Sequence, residues 1–279
     1  MTGMRYTWRT FARELSMLAL AAVWLIPFYF LIVMAVKPSP EIFDPPTALP
    51  SRVEWGNFSK AWAGSGVVSL GQGLKSSAII TVFSVLLLIL IGSIAAYTLA
   101  RRAGHLSTIL YFLFVLGIIL PFQLGIVPAY VALRKLGLTG SYVGLIVLYT
   151  GLLMPLTVFL YTGFVRTLPK DYEEAAQIDG AGLFRTYRRV VFPLLLPVTG
   201  TVAILTGLII WNDFFLPLIF LSGTNKATMP VAIYSFVGEF ATQWNYIFAA
   251  VIVAVAPILA FYLFAQRQLI RGFTGGIKS

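Results

Sequence analysis

Long apolar segments alternate with short polar segments along the chain. Six segments of 22 to 30 residues contain no Asp, Glu, Lys or Arg. A helix needs about 20 apolar residues, rising about 1.5 Å each, to cross the hydrocarbon core of a bilayer. The segments lack the apolar–polar alternation of a transmembrane β-barrel. The pattern therefore predicts six transmembrane helices, at Leu15–Val36, Ser76–Ala100, Leu106–Leu133, Leu136–Val165, Val190–Asn212 and Phe240–Gln266.

The first apolar segment follows three arginines, as the apolar region of a secretory signal peptide does. It is longer than such a region, and no pair of small residues near Lys37 offers a cleavage site. We therefore predict an uncleaved helix that inserts with its N-terminus on the cytoplasmic side.

The composition also favours a membrane protein. Hydrophobic residues make up 59% of the chain and charged residues 11%, with a mean hydropathy of +0.89. Soluble domains are about half apolar and about a quarter charged, so the composition argues against a soluble enzyme, a disordered chain and a nucleic-acid-binding domain. The chain has no cysteine and one histidine, His105. We therefore predict no disulfide, no cysteine nucleophile and no metal site.

The formal net charge of +10 indicates the orientation in the membrane. Cytoplasmic loops of membrane proteins carry an excess of Lys and Arg. With six spans, 13 basic residues lie on one side of the membrane and 7 on the other. The richer side is predicted to be cytoplasmic. Both termini and the loop at 166–189 then lie in the cytoplasm, and the loops at 37–75 and 222–245 lie outside. The richer set is Arg5, Arg9, Arg13, Arg101, Arg102, Arg166, Lys170, Arg185, Arg188, Arg189, Arg267, Arg271 and Lys278.

The longest cytoplasmic connection, residues 166–193, is predicted to contain a short helix. Pro169 suits the first turn of a helix, where its missing N–H costs nothing. The pair Asp179-Gly180 predicts the end of the helix, because glycine accepts the left-handed conformation that follows a C-cap. Acidic residues lie near the predicted N-terminus, where the helix dipole favours negative charge. They are Asp171, Glu173 and Glu174.

Two adjacent alanines, Ala175 and Ala176, lie in the middle of this predicted helix. Small side chains allow another surface to approach the backbone closely, which predicts a short docking helix on the cytoplasmic face. On physical grounds alone, the alternative is a surface loop built from good helix formers.

The loop at 166–193 resembles the coupling-loop signature of binding-protein-dependent ABC importer permeases. That signature is Glu-Ala-Ala, three residues, Gly, nine residues, then Ile-x-Leu-Pro. Here Glu174 begins the Glu-Ala-Ala triplet, Gly180 follows after three residues, and nine more residues lead to a segment that ends at Pro193. Val190 replaces Ile and Phe192 replaces Leu, and both departures keep an apolar side chain.

Two further segments are similar to the carbohydrate-uptake branch of that family. The stretch from Trp211 to Leu218 is similar to a Trp-Asn-x-Phe…Pro-Leu segment of that branch. The tail from Gly272 to Lys278 is similar to the glycine-rich end of its smaller permease, the second membrane subunit of maltose-type importers. The resemblance covers the whole chain. It implies a first helix with an outer loop (1–70), a type I permease core (71–264) and a cytoplasmic tail (265–279).

The resemblance implies an all-α, six-span permease with the type I ABC importer fold, in the bacterial cytoplasmic membrane. Such a permease pairs with a second homologous permease and sits on two copies of a cytoplasmic ATPase. An extracytoplasmic binding protein delivers the solute, here a sugar or oligosaccharide. A coupling helix within residues 171–184 would seat in the ATPase and transmit its closure. We expect no cofactor in this chain, because ATP and Mg²⁺ would bind the ATPase and the chain has no P-loop sequence.

Site residues are carried over by the same resemblance. Glu174 would pair with a basic residue of the ATPase, or would merely complement the helix dipole. Asp213 would meet solute hydroxyls, or would make an interhelical or interfacial polar contact. The tail would contact the ATPase, or would be a frayed terminus. The implied coupling residues are Glu173, Glu174, Ala175, Ala176, Asp179, Gly180 and Pro193. The implied tail contacts are Gly275, Gly276 and Lys278, and the implied pathway residues are Trp211, Asn212 and Asp213.

A secondary transporter or channel subunit is the alternative function. That class places ionisable residues near the midplane of the bilayer, and the centres of all six predicted spans lack such residues. An intramembrane enzyme would need a nucleophile with a base, or a metal cluster. One histidine and no cysteine offer little for either. We therefore expect a transport subunit without enzymatic activity of its own.

Overall fold

The computed structural model of the protein is nearly all helical. It describes residues 7–64, 68–237 and 242–274, with side chains up to residue 260 and at Leu263. In these ranges, β pairing is limited to an isolated bridge between Val237 and Thr242. The helices are α1 (Trp8–Val36), α2 (Gly56–Ala63), α3 (Leu70–Arg101), α4 (His105–Ile119), α5 (Ile126–Lys135), α6 (Tyr142–Thr167), α7 (Asp171–Ile178), α8 (Leu183–Thr186), α9 (Phe192–Leu194), α10 (Leu196–Asn212), α11 (Phe215–Phe220), α12 (Met229–Tyr234) and α13 (Trp244–Thr274).

Shorter helical turns connect several of these helices. Two 3-10 turns cover Ser39–Phe43 and Phe122–Gly125, and a π-helical turn covers Tyr187–Val191. Together with the thirteen α-helices, they confirm the predicted all-helical fold class over the described residues.

Three helices, α1, α3 and α6, are long and apolar enough to cross a membrane. Two further predicted spans are divided into bent pairs: α4 lies at 98° to Phe122–Lys135, and Leu183–Leu194 lies at 72° to α10. If each bent pair is one span, the described residues contain five spans, and Trp244–Ala260 is a shorter apolar helix. The structure thus gives three to five spans where the sequence predicted six.

The two bends occur beside prolines, which explains why the predicted spans Leu106–Leu133 and Val190–Asn212 are not continuous. Leu120 ends α4 with ψ near 130°, an extended conformation. Pro121 follows it, and the ring of a proline disfavours helical geometry in the preceding residue. Pro197 lies in the first turn of α10, just after the second bend. By contrast, α1 and α6 continue through Pro27 and Pro155.

Helix α3 begins at Leu70, six residues before the predicted start at Ser76. The prediction stopped at Lys75 because that lysine is charged. The side chain of Lys75 is exposed, so its charge does not prevent the helix from continuing past it.

The chain divides into two compact units, one of residues 1–70 and 233–256 and the other of residues 71–232 and 257–279. In the first unit, Asn57 of α2 is buried and joins three segments. Its side-chain amide donates to the carbonyls of Ala35 (3.0 Å) and Lys37 (2.8 Å), and its Oδ1 accepts from Asn245 (3.1 Å). Asn245 also donates to Ser39 (3.0 Å). One side chain therefore fixes the end of α1, helix α2 and the start of α13 together.

The segment between α1 and α2 is closed by a second set of hydrogen bonds. The buried ammonium group of Lys37 donates to the carbonyl of Pro45 at 3.1 Å. Glu41 accepts hydrogen bonds from the hydroxyl and the backbone N–H of Ser51. These two bonds, the hydroxyl bond first, lower the pKa of Glu41. The segment between α1 and α2 is therefore held by its own polar groups.

In the second unit, α3, α6 and α10 pack around two apolar clusters. One cluster includes Leu88, Tyr149 and Ile210, and the other includes Tyr161 and Leu195. Close packing depends on a small residue. A Cβ added to Gly92 of α3 would lie 2.4 Å from Cγ2 of Thr157 on α6. Such small residues at helix interfaces are typical of membrane bundles.

Replacing Asn57 by alanine should destabilise the first unit. Asn57→Ala leaves two buried carbonyls and the side chain of Asn245 short of a partner, which we expect to lower the free energy of unfolding by about 1–3 kcal/mol. The measurement is unfolding of the purified protein in detergent, followed by tryptophan fluorescence. Ser59→Ala, which removes an exposed hydrogen bond from the same helix, is the control. Equal stability of the two variants would contradict this role of Asn57.

Candidate functional site

Helix α7 occupies the predicted position in the 166–193 loop. Lys170 is its N-cap, and the carbonyl of Lys170 accepts from the amides of Glu173 (2.8 Å) and Glu174 (3.1 Å). Asp171, Glu173 and Glu174 all lie in the first turn, where they complement the helix dipole. Pro169 was predicted to lie in the first turn, but it precedes the N-cap and lies two residues before the first turn, which begins at Asp171.

The end of α7 is closed by backbone hydrogen bonds of the Schellman type. The amide of Gly180 donates to Gln177 at 3.0 Å, and the amide of Ala181 donates to Ala176 at 2.9 Å. Asp179 is the C-cap. Gly180 has φ +78°, in the left-handed region that disfavours residues with a Cβ. The predicted positive φ at Gly180 is therefore confirmed.

Glu173 points into the protein. It is buried, and its Oε1 accepts from Nε of Arg101 at 2.7 Å, while its Oε2 accepts from the hydroxyl of Tyr97 at 2.8 Å. Nη2 of Arg101 donates to the carbonyl of Leu168 at 3.0 Å. Both oxygens of the carboxylate are therefore used inside the chain, and Glu173 is not presented to a partner in this conformation.

The rest of α7 is exposed. Glu174, Ala175 and Asp179 are exposed, and Ala176 is half-buried. Large apolar side chains lie beside them, and they are 71% to 87% exposed in the described chain. A set of this kind on a short polar loop marks an interaction surface. These apolar residues are Ile178, Leu183 and Phe184.

A cleft of about 480 Å³ opens between the end of α3 and the α7–α8 segment. Its walls carry charges of both signs together with exposed apolar groups. The lining residues are Ile94, Tyr97, Thr98, Arg101, Arg102, Lys170, Glu173, Glu174, Gln177, Leu183, Phe184 and Tyr187.

The apolar end of the loop is attached to the helical core. Val191 is buried in the same cluster as Leu195. Val190 and Phe192 are half-buried, whereas Pro193 is exposed in α9. At the two positions that depart from the signature, the apolar side chains are thus partly shielded, and the ring of Phe192 lies 6.1 Å from the ring of Tyr187.

The three predicted pathway residues do not share one cavity. Asn212 and Asp213 line a cavity of about 620 Å³ beside Tyr149, whereas Trp211 lines a separate apolar cavity of about 290 Å³. The carboxylate of Asp213 accepts from the hydroxyl of Tyr149 at 2.7 Å and from the amide of Phe215 at 2.9 Å. Asp213 therefore makes an interhelical polar contact at the end of α10.

The predicted tail contacts Gly275, Gly276 and Lys278 lie outside the described residues. Among the residues that the structure describes, no three His, Asp or Glu side chains are grouped so that they could hold a metal ion.

Comparison with known proteins shows the family. Residues 88–275 match the family described as "Binding-protein-dependent transport system inner membrane component". The chain belongs to this family. The predicted identity as a membrane permease subunit of a binding-protein-dependent importer is confirmed.

The permease is similar along nearly its whole length to named relatives. It is 38% identical over 267 residues to the melibiose/raffinose/stachyose import permease protein MelC of Bacillus subtilis, covering 95% of each chain. It is 35% identical over 260 residues to a probable starch degradation products transport system permease protein, AmyC, of Thermoanaerobacterium thermosulfurigenes, covering 93% of each chain.

The fold of the permease matches a solved structure. A chain in the crystal structure of a bacterial ABC transporter involved in importing the acidic polysaccharide alginate aligns with a TM-score of 0.79 at 17% identity. The alignment covers 95% of this chain and 99% of that chain. The permease fold predicted from the loop signature is therefore present.

Sequence reasoning missed the contribution of Arg101 and Tyr97 to this site. In the sequence, Arg101 contributes only one of the charges that predict the orientation of the membrane spans. Arg101 and Glu173 are 72 residues apart, so local spacing does not connect them. The sequence did contain one signal: Arg101 ends an apolar span on the same predicted side of the membrane as the acidic helix of the 166–193 loop.

Gly180→Val should loosen the end of α7. A Cβ at position 180 would meet no neighbour within 4 Å, so the cost comes from the positive φ and is about 1–2 kcal/mol. We expect the amides of residues 175–181 to exchange with deuterium about ten times faster, measured by mass spectrometry on the purified permease.

Gly182→Val is the matched control. Gly182 also has open space around it, but its φ is −69°, which any residue adopts. Equal exchange in the two variants would show that the φ of Gly180 does not hold the end of α7.

Proposed function

We propose that this permease takes up a sugar or oligosaccharide that an extracytoplasmic binding protein delivers, driven by ATP hydrolysis. The printed names of relatives support the solute class, since they cover import of melibiose, raffinose and stachyose and transport of starch degradation products. A third relative, 36% identical over 256 residues, is a multiple sugar-binding transport system permease protein of Streptococcus mutans.

The proposed assembly contains four further subunits or partners: a second homologous permease, two copies of a cytoplasmic ATPase and the binding protein. ATP and Mg²⁺ bind the ATPase, and this chain holds no cofactor. The chain has no Gly-x4-Gly-Lys-Ser/Thr sequence, whose backbone N–H groups would cradle phosphates. The energy for transport must therefore reach the membrane helices through contact with a partner.

The exposed surface of α7 and its flanking residues is the observation that carries this proposal. We propose that α7 is the coupling helix and that it seats in a cleft of the ATPase. Ala175 and Ala176 allow close approach, Glu174 pairs with a basic residue of the ATPase, and the exposed Ile178 enters an apolar contact. Closure of the ATPase dimer then moves α7.

We propose six spans with both termini in the cytoplasm. Three helices and two bent pairs account for five spans by length and composition, and α13 supplies the sixth. The 13-to-7 distribution of basic residues supports this orientation. The tail, with Gly275, Gly276 and Lys278, then lies on the side of the ATPase and contacts it.

The solute pathway is proposed to pass Asn212 and Asp213. Both line the cavity of about 620 Å³ beside α4 and α6. Trp211 lines a different cavity, so we restrict the proposed solute contact to the other two residues.

Glu174→Gln should weaken the coupling between solute delivery and ATP hydrolysis. A charged hydrogen bond contributes about 1.5–3 kcal/mol, so we expect ATPase activity stimulated by the loaded binding protein to fall by about tenfold or more. The measurement uses the complete complex in proteoliposomes, with ATPase and uptake of labelled sugar followed together. Normal stimulation in this variant would refute the assigned role of Glu174. Failure of the wild-type permease to copurify with an ATPase would refute the proposed function itself.

Asp213→Ala should lower sugar uptake by about tenfold if its carboxylate bonds to the solute. Tyr149→Phe is the control, because it removes the internal hydrogen bond and leaves the carboxylate in place. Uptake that falls in Asp213→Ala but not in Tyr149→Phe supports solute contact. Equal uptake in the two variants would show that Asp213 serves the interhelical contact alone.

A further inference from the structure

Three polar side chains form a stripe along the end of α3. They are Ser93, Tyr97 and Arg101, spaced four residues apart, so they lie on one face of the helix. Each of them contacts a residue of the 166–193 loop. Polar groups are costly on a helix this apolar unless they are bonded, so the stripe indicates a fixed attachment of the loop to α3.

The first attachment lies at the start of α7. The side chains of Arg101 and Glu173 are only 13% and 11% exposed, and their charged atoms are 2.7 Å apart. Arg101 also bonds to the carbonyl of Leu168, just after α6. One guanidinium therefore joins α3, the end of α6 and the first turn of α7. Separating a buried ion pair leaves a charge without a partner in a poorly solvated environment, so these elements resist moving apart.

The second attachment lies at the other end of the loop. The hydroxyl of Tyr187 is 2.6 Å from the hydroxyl of Ser93, and its ring lies 5.4 Å from the ring of Tyr97. Tyr187 opens the π-helical turn at Tyr187–Val191, a rare geometry that is frequent at functional sites. The loop is therefore fixed to the same face of α3 on both sides of α7.

The backbone supplies a separate connection along the chain. Between α7 and α8 lie Asp179, Gly180, Ala181 and Gly182, outside any helix. The amides of Gly180 and Ala181 donate to Gln177 and Ala176 of α7, so this segment joins α7 to α8. The attachments to α3 join α7 to a different helix.

We propose that Arg101 is a positioning residue that joins α7 to α3, so that displacement of α7 by a partner moves α3 directly. Tyr97 and Ser93 complete the attachment through Glu173 and Tyr187. The proposal rests on the proposed function, since it takes the ATPase as the partner that displaces α7. In this proposal, displacement of α7 reaches α3, a helix distant in sequence from the loop, through the buried ion pair between Arg101 and Glu173.

The test measures the ratio of sugar transported to ATP hydrolysed by the complete complex in proteoliposomes. Glu173→Gln keeps the shape of the side chain and removes its charge. We expect the ATPase to copurify and hydrolyse ATP, and the ratio to fall by about tenfold. Glu54→Gln, which breaks the exposed pair with Arg52 (3.1 Å), is the matched control and should keep the wild-type ratio.

A variant with a chemical cross-link between α3 and α7 distinguishes the loss of positioning from a general loss of structure. The chain has no cysteine, so Arg101→Cys with Glu173→Cys offers two thiols that a reversible bifunctional methanethiosulfonate reagent can join. We expect a low ratio before bridging, recovery after bridging and a low ratio again after reduction. An unchanged ratio in Glu173→Gln, or a bridged variant that stays uncoupled, would overturn the proposal.

If the Glu173→Gln permease does not assemble with the ATPase, Tyr97→Phe tests the proposal instead. It removes one hydrogen bond and keeps the ion pair, and we expect a severalfold lower ratio with an intact complex; a wild-type ratio would overturn the proposal. These outcomes differ from failure of the proposed function, in which the wild-type complex itself would show no ATP-dependent uptake.

Discussion

The structure depends on one constraint: in hydrocarbon, every backbone N–H and C=O must find its partner inside the protein. The long helices α1, α3 and α6 satisfy it through their own hydrogen bonds. Two buried threonines of α6 also return their hydroxyls to the preceding turn: Thr150 donates to the carbonyl of Ile146 at 2.7 Å, and Thr157 donates to the carbonyl of Leu153 at 2.9 Å. Where a proline interrupts the pattern, as at Pro121, the chain bends beside the packed core. The bends and the polar side chains inside the bundle are thus two results of the same requirement.

Local features of the fold could be predicted from the sequence. The charge-free segments located the long helices, and the pair Asp179-Gly180 predicted the end of α7, because a cap depends only on residues in one turn. The start of α7 was predicted less well, since Pro169 was placed in the first turn and lies before the N-cap Lys170. The effect of each proline could not be predicted, since Pro155 remains within α6 whereas Pro121 lies at a bend of 98°. Which of the two occurs depends on the neighbouring helices, and those are set by contacts distant in sequence.

The candidate site shows the same division. The sequence located the acidic helix and its glycine, and the family resemblance placed both Glu173 and Glu174 among the coupling residues. Adjacent residues on a helix point about 100° apart, so only one of the two carboxylates can face α3. The structure turns Glu173 toward Arg101 and leaves Glu174 exposed. Glu173 thus attaches the helix to α3 whereas Glu174 stays exposed, and this difference rests on a contact between residues 72 positions apart.

Helix α1 has a consequence for how the protein is made. Its buried residues are Val33, Ala35 and Val36, all in its last turn, and the remainder of its 29 residues is exposed or half-buried. A helix that owes so little to its neighbours is stable in lipid by its own hydrogen bonds and apolar surface. It can therefore insert as soon as it leaves the ribosome and hold the nascent chain at the membrane while the helices that need one another are still being synthesised.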